Sequence, residues 1–269
     1  MRKMKKIGLI GAGNMGGALA LAMRRACADA QILLSDASRE KAQALADRIG
    51  AVVADNETVA RESELLFFAV KPNGLPGMID GIRDILAARD DCTVVSMAAG
   101  VRMETLRSYL KSDCPLIRMM PNTPVSVGEG MILWCADDHV SEQAKQDFRT
   151  ALSCAGALDE LPEALIDAGC ALSGCGPAFV YLFLEALADG GVECGLPREK
   201  AMRYAAQTVL GAATLAAQGS HPGVLKDAVC SPGGSTIAGV HALEKNAFRA
   251  AAMDAVIAAY EKTKELGRS

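Results

Sequence analysis

The tightest constraint on this chain sits near its start. Residues 6–10, Lys-Ile-Gly-Leu-Ile, run into Gly11-Ala12-Gly13-Asn14-Met15-Gly16, and an apolar spacing suited to a helix follows over 14–28. G-x-G-x-x-G says little alone, but between a strand and a helix it marks the first turn of a nucleotide-binding βαβ unit. Gly11 allows the tight turn, Gly13 lets backbone approach a pyrophosphate, and Gly16 permits close packing of helix on strand. The helix N-terminus offers N–H groups and a partial positive charge to that anion.

The same alternation continues. Strands are expected at 32–35, 51–54, 65–70, 92–97 and 116–119, with an edge strand at 131–135 and a last strand at 157–161. Helices are expected at 39–49 and 141–153. Runs such as Leu65-Leu66-Phe67-Phe68-Ala69-Val70 are apolar at consecutive positions, which fits parallel strands covered on both faces. From Glu163 onward no strand pattern remains. Helical patterns cover 163–193, 198–218, 222–229, 235–245 and 247–266, and Ser173-Gly174-Cys175-Gly176-Pro177 should break or kink the first. The chain's 269 residues, at about 150 per domain, suit two domains: 1–158 binding a dinucleotide and 159–269 all-helical. Several late helices, Ala205 to Ala217 among them, are apolar on more than one face. Helices of that kind need cover, so a homodimer through the helical domain is expected.

In a parallel sheet the C-terminal strand ends share one edge, where ligands bind. That edge should gather Gly11 to Met15, Val70-Lys71-Pro72, Met97-Ala98-Ala99 and Pro121-Asn122-Thr123. Small residues at 98–100 leave room for a nicotinamide. Lys71 meets a phosphate, orients a substrate, or is a solvated surface lysine. Asn122 and Thr123 either form a turn or touch the ligand. Coenzyme choice carries conflicting signals. Asp36 lies about 20 residues beyond Gly16, where an acid holds the ribose 2′-hydroxyl of NAD. Ser38 and Arg39 follow at once, and an arginine there receives a 2′-phosphate. Asp36 can also turn aside and cap the next helix.

A second glycine turn, Ser231-Pro232-Gly233-Gly234-Ser235-Thr236, enters a short helix. Such a turn either makes an anion nest for a small carboxylate, with the Thr236 hydroxyl beside it, or is an ordinary turn capped by Ser235 or Thr236.

Other chemistries are excluded or poorly supplied. The net charge of −4 argues against nucleic acid and anionic membrane surfaces as partners. Nine cysteines without C-x-x-C, and only three histidines, suit reduced thiols in a cytosolic protein and no metal site. G-x-S-x-G is absent. His139, His221 and His241 lack a sequence-level catalytic partner and read as structural; Cys230 adjoins the second turn. Arg2, Lys3, Lys5 and Lys6 before an apolar stretch mimic a secretory leader, but the glycine loop explains the same residues better. No run of about 18 apolar residues is seen, so no membrane span is expected.

Taken together, these residues resemble the pyrroline-5-carboxylate reductases. The match rests on Gly11 to Gly16, Ala69-Val70-Lys71-Pro72, Arg118-Met119-Met120-Pro121-Asn122-Thr123-Pro124, Leu172 to Ala178, and above all Leu225-Lys226-Asp227-Ala228-Val229-Cys230-Ser231-Pro232-Gly233-Gly234-Ser235-Thr236-Ile237. It runs from about residue 6 to 266. The resemblance implies an α/β N-terminal Rossmann-type domain with a mostly parallel sheet, followed by an all-α C-terminal dimerisation domain. It implies NAD(P)H-dependent reduction of 1-pyrroline-5-carboxylate to L-proline, the last step of proline biosynthesis. NADPH is the expected coenzyme, with NADH open. Higher assembly than a dimer is left open. By motif, Ile10, Gly11, Ala12, Gly13, Asn14, Met15, Ser38, Arg39, Asn56, Ala69, Val70, Lys71, Pro72, Met97, Ala98 and Ala99 are the expected cofactor contacts. Glu163, Gly233, Gly234, Ser235 and Thr236 are the expected substrate contacts, with Thr236 catalytic. Ser235 departs from the small residue or threonine more usual there. The active site is expected where the two glycine turns meet, partly from a second chain. Two rival readings are a reductase of the β-hydroxyacid dehydrogenase type, whose Gly-x-x-x-Asn-Lys-like lysine is missing here, and a non-catalytic dinucleotide-binding regulator.

Overall fold

The computed structural model describes residue 4 and residues 6–266. Of the basic residues before the glycine loop, Arg2, Lys3 and Lys5 lie outside the described residues, and Lys6 opens the first strand. The N-terminal part runs β1 (Lys6–Ile10), α1 (Asn14–Ala26), β2 (Gln31–Ser35), α2 (Arg39–Ile49), β3 (Val52–Val53), α3 (Asn56–Glu62) and β4 (Leu65–Phe68). It continues through α4 (Leu75–Asp80), α5 (Arg83–Ala87), β5 (Thr93–Ser96), α6 (Met103–Leu110), β6 (Leu116–Met120), β7 (Gly130–Ala136), α7 (Glu142–Leu152) and β8 (Gly156–Glu160). The strands form one sheet in the order β3-β2-β1-β4-β5-β6-β7-β8. Every neighbouring pair is parallel except β6 with β7.

Alternation along each strand feeds two cores. Leu65 and Phe67 join Leu19, Met23, Trp134 and Phe148 on the face covered by α1, α2 and α7. Leu66 and Phe68 join Val59, Ile79, Leu86 and Leu106 on the face covered by α3 to α6. That two-sided burial is why the strand sequences are apolar at consecutive positions.

One sequence expectation is corrected. β7 is an interior strand, because β8 pairs parallel along its outer side and takes the edge. Gly130 and Gly156 permit that pairing at its start: a β-carbon on Gly156 (φ 133°) would sit 2.0 Å from the Gly130 carbonyl oxygen. Within Glu163–Glu193 an 18-residue window is, by length and composition, apolar enough to cross a bilayer, with a mean hydropathy of 1.5. It folds as two helices, α8 (Glu163–Ser173) and α9 (Gly176–Glu193), parted at Gly174-Cys175. α8 packs on the sheet through Ile166, which joins Leu133, Cys135 and Met120, while Leu165 and Leu172 of the same helix are exposed. The chain forms two compact units, Met1–Cys175 with Ala259–Ser269, and Gly176–Ala258.

Beyond α9 come α10 (Arg198–Ala216), α11 (Pro222–Ala228), α12 (Ser235–Lys245) and α13 (Phe248–Leu266). Within the second unit, α9 and α10 pack closely around Ala188, Ala201 and Ala205. No residue of α11 or α12 is buried, nor any residue of α13 whose burial is described. Large apolar side chains stand in the open along these helices, among them Leu182 (67 %), Leu210 (57 %) and Ile257 (58 %).

Candidate active site

The first glycine turn is built as its spacing requires. Gly11 adopts φ 112°, and a β-carbon there would stand 2.5 Å from the Ala69 carbonyl oxygen. A β-carbon on Gly16 would stand 2.1 Å from the Gly11 carbonyl oxygen. One on Gly13 meets no atom within 4 Å, because that position faces an open cleft. Gly13 caps α1 with no side-chain hydrogen bond, and the first turn of α1 has no acidic residue. Its N–H groups are therefore presented to the cleft without a carboxylate against them, which fits a pyrophosphate.

The cleft encloses about 1370 Å³ along the C-terminal edge of the sheet. It brings together Ile10, Gly11, Gly13, Asn14, Met15, Arg39, Asn56, Ala69, Val70, Lys71, Pro72, Met97, Ala98 and Ala99. Two expected contacts, Ala12 and Ser38, are not on its lining. The Ala12 N–H donates to one Asp36 carboxylate oxygen (2.7 Å) and the Ser38 N–H to the other (2.8 Å). Ser38 itself caps α2, its hydroxyl accepting from the Lys41 N–H (3.4 Å). Asp36 stays on the cleft lining and caps no helix; it ties the glycine loop to the β2–α2 turn. Ser35 donates to the Asn56 side-chain oxygen (2.6 Å), fixing the start of α3 beside it. The sequence reading missed the wall formed by Gly74, Gly77, Met78, Gly81 and Ile82. A signal was present, since Gly74, Gly77 and Gly81 recur at helical spacing on one face.

Asn122 resolves as a structural residue. It accepts from the Met131 N–H (2.8 Å) and donates to the Ser173 carbonyl (2.9 Å), joining β7 to the end of α8. Thr123 opens a short 3-10 turn, Thr123–Val127. Glu163 begins α8 with its carboxylate engaged: one oxygen accepts from the Met103 N–H (2.7 Å) and from Arg118 (3.1 Å). Arg118 is buried on β6 and reaches Asp167 at 2.6 Å. Its Nε has no hydrogen-bond partner. Burial pushes the nearby Cys135 and Cys170 thiols up to about 11, and Cys92 up to about 12.

The second glycine turn lies in the second unit. Gly233 adopts φ 69°, and the Gly234 N–H closes the turn onto the Ser231 carbonyl (3.0 Å). Gly234 is the cap of α12, without a side-chain hydrogen bond, so neither Ser235 nor Thr236 caps the helix. Both hydroxyl residues occupy its first two positions and are exposed. No acid lies in this first turn. Backbone donors and a hydroxyl are thus offered together, as a small carboxylate with a neighbouring polar atom requires. Of the histidines, His221 accepts from the Gly223 N–H (3.0 Å) as the cap of α11, and His139 lies 3.7 Å from Asp137.

A mostly parallel sheet with a glycine-lined cleft at its edge, followed by a run of helices, defines a dinucleotide-binding oxidoreductase of the Rossmann type. Residues 6–100 match the family model of NADP oxidoreductases, coenzyme F420-dependent. Residues 163–266 match the model of pyrroline-5-carboxylate reductase dimerisation. The chain is 43 % identical to pyrroline-5-carboxylate reductase 3 of Danio rerio over 97 % of its own length and 91 % of the relative's. Two solved structures share its fold: the Plasmodium falciparum pyrroline carboxylate reductase with NADP bound (TM-score 0.87, 32 % identity, 99 % of each chain) and the Coxiella burnetii pyrroline-5-carboxylate reductase (TM-score 0.91, 30 % identity, 98 % and 99 %). The chain belongs to the pyrroline-5-carboxylate reductase family.

Proposed function

We propose that this chain reduces 1-pyrroline-5-carboxylate to L-proline with a reduced nicotinamide coenzyme, as the last step of proline biosynthesis. The observation that carries the reading is the 43 % identity sustained over 97 % of the chain. A relationship of that extent, covering both glycine turns, favours this activity over a β-hydroxyacid dehydrogenase or a non-catalytic regulator.

The reaction adds a hydride to the imine carbon and a proton to the ring nitrogen. The coenzyme supplies the hydride when bound. Gly13 to Met15 hold its pyrophosphate through backbone N–H groups, Gly11 and Ala12 shaping the turn beneath them, and Ala69 to Pro72 with Met97 to Ala99 shape the seat of the nicotinamide. Arg39 and Asn56 serve the adenosine end, with Ser38 fixing the turn that carries Arg39, and we take NADPH as the coenzyme with NADH possible. Gly233, Gly234 and Ser235 hold the substrate carboxylate on backbone donors. Thr236 hydrogen-bonds the ring nitrogen and orients it. A threonine hydroxyl is a poor acid, so the proton comes from water or enters on an already protonated imine. Most of the rate then comes from holding two reactants in register. Glu163 completes the proposed substrate set. The exposed apolar helices and the match to a dimerisation model support a homodimer. Nine free cysteines support the cytoplasm as its compartment.

The test is oxidation of NADPH and of NADH, followed at 1-pyrroline-5-carboxylate saturation, with 3-hydroxy acids and NADP⁺ as the contrast. Turnover of the imine with formation of proline is expected. Turnover of the hydroxy acids alone, or of neither, would overturn the reading.

A further inference from the structure

The loop that leaves β5 walls the cleft through Met97, Ala98 and Ala99 and ends where α6 begins at Met103. It turns tightly: Gly100 adopts φ 74°, and the Val101 N–H donates to the Ala98 carbonyl (3.3 Å). Its far end has no cap of its own. Arg102 stands at the N-cap of α6 without a side-chain bond, and a cation is the wrong charge for a helix N-terminus. Glu104, the acid in the first turn, is exposed. The missing acceptor comes from α8. Glu163 Oε1 accepts from the Met103 N–H at 2.7 Å, and the same oxygen lies 3.1 Å from Arg118 Nη1. Arg118 also reaches Asp167, one turn further along α8, at 2.6 Å. Two contacts one turn apart fix both the height and the rotation of that helix, which holds Glu163 against α6.

We propose that Glu163, held by Arg118, is a positioning residue for the coenzyme: by capping α6 it fixes the Met97–Ala99 wall against which the nicotinamide lies. The inference rests on the dinucleotide reading of the cleft and adds to the substrate role proposed for Glu163. Both bonds above use one oxygen, and a carboxylate has about four acceptor positions, so the substrate role is not displaced. Positioning follows from the shortness of the link. Only Gly100, Val101 and Arg102 separate Ala99 from Met103, and Gly100 is the glycine at positive φ. Without an acceptor for the Met103 N–H the first turn of α6 frays, and the fraying passes through those residues to the wall. A displacement of about 1 Å in a reactant's seat costs on the order of 100-fold in rate. The adenosine end, at Arg39 and Asn56, is carried by α2 and α3 and takes no part in this.

The test separates the two ends of the coenzyme, without imine substrate. Intact protein is titrated by calorimetry with NADPH and with adenosine 2′,5′-bisphosphate, which carries the adenosine end and no nicotinamide. Emission of the bound NADPH reports how firmly the nicotinamide is held. Glu163→Ala is expected to weaken NADPH about tenfold, to lose the gain in emission on binding, and to leave the bisphosphate within about twofold. Glu163→Gln, whose amide oxygen still accepts from Met103, should bind NADPH nearly as the unaltered protein does. The decisive variant adds Arg102→Ser to Glu163→Ala. A serine at the N-cap gives α6 an acceptor of its own and should restore NADPH binding with the Glu163 carboxylate still absent. Where Glu163→Ala does not fold, Glu163→Asp, one methylene too short to reach Met103 and Arg118 together, is expected to show the same split between the two ligands. Equal weakening of both ligands, NADPH binding unmoved in Glu163→Ala, or no recovery with the added serine would each overturn the inference while leaving the dinucleotide site standing. Failure of the unaltered protein to bind NADPH would overturn the site itself, and the inference with it.

Discussion

A methyl group has opposite consequences at two glycines three residues apart. At Gly16 it would stand 2.1 Å from the Gly11 carbonyl oxygen, which is backbone and cannot step aside; at Gly13 it meets nothing within 4 Å. Gly16→Ala is therefore expected to cost about 1–3 kcal/mol as overpacking, read as a lower urea midpoint. Gly13→Ala should fold with its midpoint unchanged, yet lose most of its affinity for NADPH, because the added carbon occupies the approach to the pyrophosphate. Equal stability losses in the two variants would refute the division of labour within the loop. Thr236 is open to the same kind of dissection. Removing its hydroxyl in Thr236→Ala is expected to lower kcat on the order of 100-fold by freeing the imine to misorient, with coenzyme affinity unchanged. Thr236→Ser should recover most of the rate. Full activity in Thr236→Ala would remove the hydroxyl from the mechanism.

α8 is secured by a pattern of charge rather than by apolar packing alone. Arg118, 1 % exposed on β6, spans Glu163 and Asp167, residues one helical turn apart, and Glu163 also accepts the first N–H of α6. Arg118→Met would leave two carboxylates without their partner, Asp167 at 14 % side-chain exposure. A loss of about 3 kcal/mol is expected on urea unfolding, with Glu163→Gln milder because the amide oxygen still accepts from Met103. Buried thiols add an alkaline limit. Cys92 titrates near 12 in the fold against 9.0 as a free group, through loss of hydration. Above pH 9 the unfolded chain releases that proton and the folded chain keeps it, so stability should fall from pH 9 toward 12. Cys92→Ala should make the decline measured between pH 8 and 10.5 shallower, Cys135 and Cys170 carrying the rest; an equally steep decline would exclude the Cys92 thiol as a source. These elements were unequally legible in the sequence. Strands β1, β2, β4, β5 and β6 announce themselves because burial on both faces makes them apolar at consecutive central positions, Arg118 of β6 excepted. β7 reads the same whether interior or marginal, and its outer neighbour is Gly-Ala-Leu-Asp-Glu, mostly exposed, which hides how the sheet ends. Helices α3 to α6 have five to eight residues, too few turns for an apolar period to emerge. The cleft's glycines could be read because their role is steric and local. The commitment of Asp36 to Ala12 and Ser38 could not, since it depends on where two separate turns come to lie.

The helical unit exposes what the sheet unit buries. Leu182, Leu210, Leu215, Val224, Ile237 and Ile257 are each at least 39 % exposed, on helices of which α11 and α12 bury nothing. Covering a side chain of that size is worth about 1.5–3 kcal/mol, so a handful approaches the whole stability of a domain. Such helices are expected to find their cover in a second copy, as in permanent dimers, whose interfaces resemble a core cut in half. Sedimentation of the purified chain should give a dimer that persists below micromolar concentration. Leu210→Glu, placed where the side chain is now 57 % exposed, should yield monomer with reduced activity. The chain's one tryptophan separates dissociation from unfolding. Trp134 lies 1 % exposed on β7, its ring 5.0 Å from that of Phe148 and 5.0 Å from the Arg149 guanidinium, all within the sheet unit. Its emission should therefore stay blue-shifted in a Leu210→Glu monomer, while helicity of the second unit falls. A monomeric unaltered chain at micromolar concentration would show that these helices find their cover within one molecule, and a red-shifted Trp134 in the variant would show that the sheet unit depends on the assembly to fold.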